Sequence, residues 1–389
     1  MASYISSNAN RFYSAIEAAY AQAAAVSAAN RFPAVHLQAG QVLERGKRLD
    51  KTGTRTFRGT SANSRRQTAF QARTYLTSWN GVGEPGYGPL FHCAMGATPW
   101  VSSGLQVASA PGPMEIQTTA PHGLSVGGAV SYLNEIRFVT GVPDGSTIRT
   151  NAPFSSVPLA NAPLAATITY RLSTALPSMT LYDYWDPITA VSRVVTGAAV
   201  DLFTVGVNGD FHEFVFSGPA ADVFDSSSFA AGAAGLASYP VEPAPGNFDY
   251  SIVPGHLGQV WLGSVADQFF TLTDAIIEVR NNIAVRNQEF GSSYPRAIAP
   301  GERQVGSTFT LFAQDDSQTK ALYVAAKLRA LTSAMLQLGQ QTGQIMGIYL
   351  PSVTPEIPNY LDSQTRLQWE FKNNLAQGTA DDEISIAFA

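Results

Sequence analysis

His212-Glu213 is the place where this chain begins to spell a hydrolytic metal site. A zinc-protease helix needs a second histidine four residues after the first, so that both imidazoles share one helical face, but position 216 holds Phe216. His92 stands beside Cys93 without a second ligand pair near it, and His36, His122 and His256 are isolated. No Gly-x-Ser-x-Gly elbow presents a nucleophilic serine. Gly81, Gly83 and Gly86 match a dinucleotide-binding spacing, yet Pro85 interrupts it and no acid ends a following strand at the required distance. The paired acids Asp315-Asp316 stand at a helix entry, where carboxylates accept from free backbone N–H groups. Asp381-Asp382-Glu383 reads as a solvated turn. The expectation is a non-enzyme, with no metal and no cofactor.

The strongest charge feature is basic. Arg45, Lys47, Arg48, Lys51, Arg55, Arg58, Arg65, Arg66 and Arg73 share one stretch with a single acid, Asp50. Removing these from chain totals of 24 basic and 29 acidic residues leaves 15 basic and 28 acidic elsewhere, so a basic segment sits on an acidic body. Between Arg45 and Arg66 only Phe57 interleaves with the charges, whereas a nucleic-acid-binding segment wants aromatic rings among them. The reading preferred is an arm (Arg45, Lys47, Arg48, Lys51, Arg55, Arg58, Arg65, Arg66) that docks on the acidic body of a neighbouring copy and fixes register.

Composition points the same way. Of 389 residues, 45% are apolar but only 14% are charged, against about 25% in an ordinary domain. A weakly charged surface belongs either to a subunit that meets copies of itself or to a monomer coated with Ser, Thr, Asn and Gln. A single cysteine, Cys93, excludes an internal disulfide. The first residues carry no signal-peptide pattern, and no apolar run reaches about 18 residues, so no membrane is expected.

The elements that must position these residues are mostly strands. Residues 10–29 are predicted to form a helix, capped by Asn10, with Phe12, Ile16, Ala19 and Tyr20 on one face. Residues 40–65 read as a long exposed loop. Thr68–Leu76 alternates as a strand with Phe70 on one side, and Gly88–Ala94 reads as a short helix packing Leu90, Phe91 and Met95. Residues 112–172 read as a separate module of short strands, Glu115–Thr118, Ala129–Tyr132, Ile136–Val139 and Thr147–Thr150. Val191–Val195, Ala198–Val207 and Phe211–Phe216 follow as strands, with a hairpin turn at Asn208-Gly209-Asp210. Residues 225–248 read as a loop ordered only against a partner, and strands resume at Phe270–Thr273 and Ala275–Val279. In the last ninety residues, Gln304–Phe312 alternates with Val305, Phe309 and Leu311 on one side. A helix over Gln318–Arg329 follows, then a hairpin of Met335–Leu338 and Gln344–Leu350, then strands at Leu367–Phe371 and Ile384–Phe388. The fold class expected is mainly β with flanking short helices (α+β): core 1–111, inserted module 112–172, core 173–389.

Several short runs resemble the tail tube proteins of long, non-contractile-tailed bacteriophages. Thr54-Arg55-Thr56-Phe57-Arg58-Gly59 with Ser64-Arg65-Arg66 and Phe70–Leu76 is similar to that family's arm and first strand. Gly86-Tyr87-Gly88-Pro89-Leu90-Phe91 with Met95-Gly96-Ala97 is similar to its short helix and turn. The run from Arg193 to Val200, with Phe203-Thr204-Val205, Gly209 and Phe214–Gly218, looks like its central strand pair. Pro300-Gly301-Glu302-Arg303-Gln304-Val305 through Phe312, the helix and Gly347–Pro351 look like its closing part. The resemblance covers most of the chain outside 112–172 and 225–250, and family members are often much shorter. It implies an antiparallel β-sandwich or barrel subunit, six copies per ring, stacked rings, and inner strands joined into one barrel that conducts genomic DNA without specific binding. It further implies tape measure, tail terminator and tail-tip or baseplate proteins as partners, assembly in the host bacterial cytoplasm, and a module displayed outside the tube. Another virion component (head decoration, baseplate hub or tail-tip protein) is the alternative.

Overall fold

The computed structural model describes residues 4–389 except 45, 47–49, 52, 58, 60–63, 245–249, 264–267, 270 and 364. Arg45, Lys47, Arg48 and Arg58 of the basic arm therefore lie outside the described residues. The chain is mainly β with short helices, and its sheets are antiparallel throughout.

The largest sheet begins with seven consecutive neighbours: Ala34–Glu44, Arg65–Tyr75, Glu213–Ala220, Leu202–Val207, Leu272–Arg280, Gln304–Phe312 and Gln368–Ala376. Strand alternation gives this wall one apolar face. Phe70, Ala72, Phe214, Phe216, Phe203, Val205, Ala275, Ile277, Val279, Val305, Phe309, Leu311 and Phe371 are all buried on it. The sheet then turns a corner. Met346–Thr354 pairs the end of Gln368–Ala376 through only Val353 and Thr354, and continues into Ser385–Phe388, Thr167–Arg171 and Trp100–Ser102. The two halves close on the helix Gly88–Met95.

Phe91 of that helix is the centre of the core. Its ring lies 5.1 Å from Phe203, Phe216 and Phe388, 5.3 Å from Phe214 and 5.6 Å from Tyr170, mostly edge-to-face. Each such pair adds to area burial. Phe91→Ala should therefore cost about 3–5 kcal/mol, as expected for a large aromatic that cannot be replaced by collapse of its surroundings. The midpoint of a urea titration checks this; a loss below about 1 kcal/mol would mean that the helix is not a shared plug.

A second sheet, ordered Asp222–Asp225, Arg193–Ala198, Met179–Tyr184, Arg11–Ile16, Arg31–Phe32, covers another side of this core. Here the helix expected over 10–29 is absent. Arg11–Ile16 is a strand, paired residue for residue with Met179–Tyr184. Phe12, Tyr13, Ser14 and Ala15 are all buried, which a one-sided helix could not achieve, and pairing overrides the helix propensity of the alanines. Part of the 40–65 loop is also strand. Leu37, Ala39 and Gln41 face inward as Ala34–Glu44 pairs with Arg65–Tyr75. The segment after Asp225 packs on its own chain: Phe229 and Tyr239 lie 5.7 and 6.4 Å from Phe224, and Glu242 is gripped by Arg11 and Tyr13.

The 112–172 stretch forms a five-stranded sheet with Val107–Gly112 at one edge. One face closes a small core of Val107, Ile116, Leu124, Val130, Tyr132, Val139, Ile148, Phe154 and Leu164. The other face sends Ala129, Ile136 and Phe138 into a cluster with Trp261, Met335, Ile345, Tyr349 and Ala387 of the large sheet. The Phe138 and Tyr349 rings stack at 5.4 Å. Ile136 N–H donates to Gln337 Oε1 (3.0 Å), and Gln337 Nε2 donates to the Asn134 carbonyl (3.1 Å). Within one subunit the sheet is thus docked on the body through a mainly apolar face.

The closing segment follows the alternation in the sequence closely. Gln304–Phe312 is a strand, Ser317–Leu328 a helix, and Thr332–Leu338 with Met346–Thr354 a hairpin. Asp316 is the N-cap, accepting from Thr319 N at 2.8 Å.

Candidate assembly surface

The residues whose types suggested chemistry are dispersed. His212 is buried, and its Nε2–H donates to the Leu257 carbonyl at 3.1 Å; burial holds its imidazole below the ordinary histidine range. Glu213, one residue on, faces the opposite side of the sheet and accepts two hydrogen bonds from Arg73, at 2.9 and 2.8 Å. Cys93 is fully buried in the helix, and burial raises its thiol. His92 is likewise lowered by burial alone. Gly86 serves a close approach: a Cβ there would stand 2.1 Å from the Arg31 carbonyl. Asp381 and Glu383 accept from Arg303, and Asp382 caps Thr379 N–H at 2.6 Å. Among the described residues no three His, Cys, Asp or Glu side chains gather as a metal site, and no helix is long and apolar enough to cross a membrane.

What the fold builds is a broad surface. The outer face of the seven-stranded wall is open, and cross-strand register lays it out in rows. Arg73, Val215, Thr204, Glu278 and Gly306 stand side by side across five strands. Glu213, Gly206, Ile276 and Thr308 form the neighbouring row. Apart from Arg73, Glu213 and Glu278 these residues are small or β-branched, and the two glycines floor shallow depressions of about 460 and 260 Å³. Two ion pairs lie on this face, Arg73 with Glu213 and Lys372 with Glu370 (3.1 Å), while Asp274, Glu278 and Arg280 enter no ion pair among the described residues. Burial raises the Asp274 carboxyl above its usual range. A hydrogen bond from Ala275 N–H partly offsets this, and the Glu370 charge adds to the rise.

The wall ends in an exposed edge. Ala34–Glu44 is the last strand on one side, eleven residues long, and among the described residues nothing pairs with its free edge. Val35, Val42 and Leu43 are solvent-exposed along it. A long unpaired edge is a template for another strand. At the opposite end of the wall, Gln368–Ala376 carries the three-residue strand Asn359–Leu361 at its start and Val353 and Thr354 at its end.

The expected basic arm is the tip of the hairpin formed by Ala34–Glu44 and Arg65–Tyr75. Lys51 and Arg55 are exposed there. The two arginines at its root are held by their own chain: Arg66 pairs with Asp222 at 2.8 Å, and Arg65 donates to the Gln288 carbonyl at 3.4 Å. The sequence reading missed the edge strand itself, whose only signal was the weak alternation of Leu37, Ala39 and Gln41. It also missed a second basic loop, residues 286–296, which the fold seats against the arm root.

No protein-family model matches the chain, and no curated protein matches it.

Proposed function

We propose that this chain is a structural subunit that polymerises with copies of itself, and that its assembly is the stacked-ring tail tube of a long, non-contractile-tailed bacteriophage. The observation that carries the reading is the eleven-residue unpaired edge at the end of an open seven-stranded wall. A neighbour adding a strand there satisfies backbone groups and joins walls into a continuous barrel. The low charge content and the basic arm on an acidic body support it. The subunit-to-subunit step is heterologous, edge to a different edge, and such contacts close into rings when the rotation permits. The wall then lines a lumen in which Arg73 and Lys372 are each held by an acid, which leaves few cations to grip phosphates, so DNA passes without binding. Tape measure, terminator and tail-tip proteins are the partners this reading assigns.

The arm separates ring closure from ring stacking. Replacing residues 46–63 with a two-residue turn should leave single rings that no longer stack, because the arm's charges, and not the edge strand, bridge neighbouring rings. Tubes of normal length from that variant, seen by negative stain, would sink the role given to the arm.

A further inference from the structure

The basic loop missed in the sequence lies beside a cavity that the assembly reading does not use. Residues 286–296 form a hairpin end in which Arg286 and Arg296 face each other, with Arg296 N–H donating to the Arg286 carbonyl at 3.2 Å. Both guanidiniums are directed to Glu289, so two cations share one acid. The loop is tied to the arm root by Arg66 N–H donating to the Ser293 carbonyl (2.7 Å) and by Arg65 at the Gln288 carbonyl. Phe290 is fully exposed on it, and Tyr294 is half-exposed.

Tyr294, Pro295 and Arg296 form one side of a cavity of about 450 Å³. Its other walls are Tyr20, Gln22, Asp222, Phe224 and the backbone of 232–235. This volume falls within the range of about 300–1,000 Å³ typical of small-molecule sites. The Tyr20 hydroxyl is buried and has no hydrogen-bond partner. Burial, reinforced by Glu17, raises its phenol to about 12, so it remains a donor at neutral pH. Asp222, the one carboxylate on the cavity wall, is already neutralised by Arg66 and accepts from Gln41 Nε2 at 2.7 Å.

We propose that this cavity and the 286–296 loop bind single-stranded nucleic acid, an unpaired base entering between Tyr20, Phe224 and Tyr294 while Arg286 and Arg296 hold the flanking phosphates. Aromatic walls suit a base because every base offers a π-face. An acidic peptide would use the arginines but leave the aromatic cavity empty. The site is distinct from the free edge strand and stands whether or not the chain polymerises.

The test is fluorescence anisotropy with a labelled oligo(dT) of about twenty nucleotides, long enough to span a single-strand site, at a protein concentration where sedimentation shows one species. Expected is binding that weakens with salt at a log–log slope of about −1 to −2, given ~0.7 per phosphate contacted. Tyr294→Ala should weaken it about 5- to 100-fold, the usual range for loss of a stacking ring. Tyr20→Phe, which removes only the hydroxyl, should weaken it less. Unchanged affinity in Tyr294→Ala, equal binding of duplex DNA or polyglutamate, or no binding at low salt would each overturn the proposal. Circular dichroism of each variant separates lost binding from lost fold.

Discussion

Arg137→Ala is expected to destabilise the chain by about 3–5 kcal/mol, the cost of leaving one member of a buried ion pair alone. Arg137 is among the largest fully buried side chains. Its guanidinium lies 4.2 Å from the Trp261 ring centre and 5.0 Å from that of Phe154, so one cation bridges the docked sheet and the body. It donates to the Pro153 carbonyl at 2.9 Å, the Ile136 carbonyl at 2.7 Å and Glu135 Oε2 at 3.0 Å. Burial lowers its pKa to about 10, still far above neutrality, so the charge is present and needs its partner. Removing it strands Glu135, which is itself buried. The pair Glu135→Gln with Arg137→Met should recover most of the loss. The amide oxygen introduced by Glu135→Gln can still accept from Ser155 N–H, and an apolar chain fills the slot between the rings. Thermal and urea unfolding of both variants decide the matter. If the single variant loses under about 1 kcal/mol, far less than a stranded buried charge costs, the docked sheet is held without help from the Arg137 charge.

The second large effect concerns the free edge. In an antiparallel strand, neighbouring residues send their N–H groups to opposite sides. Proline at Gly40 and proline at the exposed Leu43, an odd number of residues apart, therefore differ: one removes a bond to Arg65–Tyr75, and the other removes only an outward donor. The outward one should leave the fold intact and abolish polymer, whereas the inward one should cost stability first. Sedimentation velocity with circular dichroism reads both. If both prolines leave a folded chain that polymerises as the parent does, Ala34–Glu44 is not the joining edge.

Much of the wall was legible because each strand there has one wet face. Val305, Phe309 and Leu311 announce their strand by a period of two, and Asp316 announces the helix that it caps. Arg11–Ile16 was not legible. It is buried on both faces, so its apolar residues run on without a period, and the alanines that follow mimic a helix. The edge strand hid for the opposite reason: its inward side chains are small or polar (Ala39, Gln41), and only Leu37 is bulky. The strands of the 112–172 sheet were legible from their turns, but not their docking. Ile136 and Phe138 look like ordinary core residues until the large sheet supplies Trp261, Met335 and Tyr349 opposite them. The candidate cavity was invisible for a related reason, since Tyr20, Phe224 and Tyr294 come together only through the fold.

Self-assembly through the free edge is the central claim, and negative-stain imaging of the purified chain across rising concentration tests it most directly. Rings or tubes of one uniform width are the predicted result. A single monomeric species at every concentration, with no polymer after tail-tip proteins are added, would contradict it.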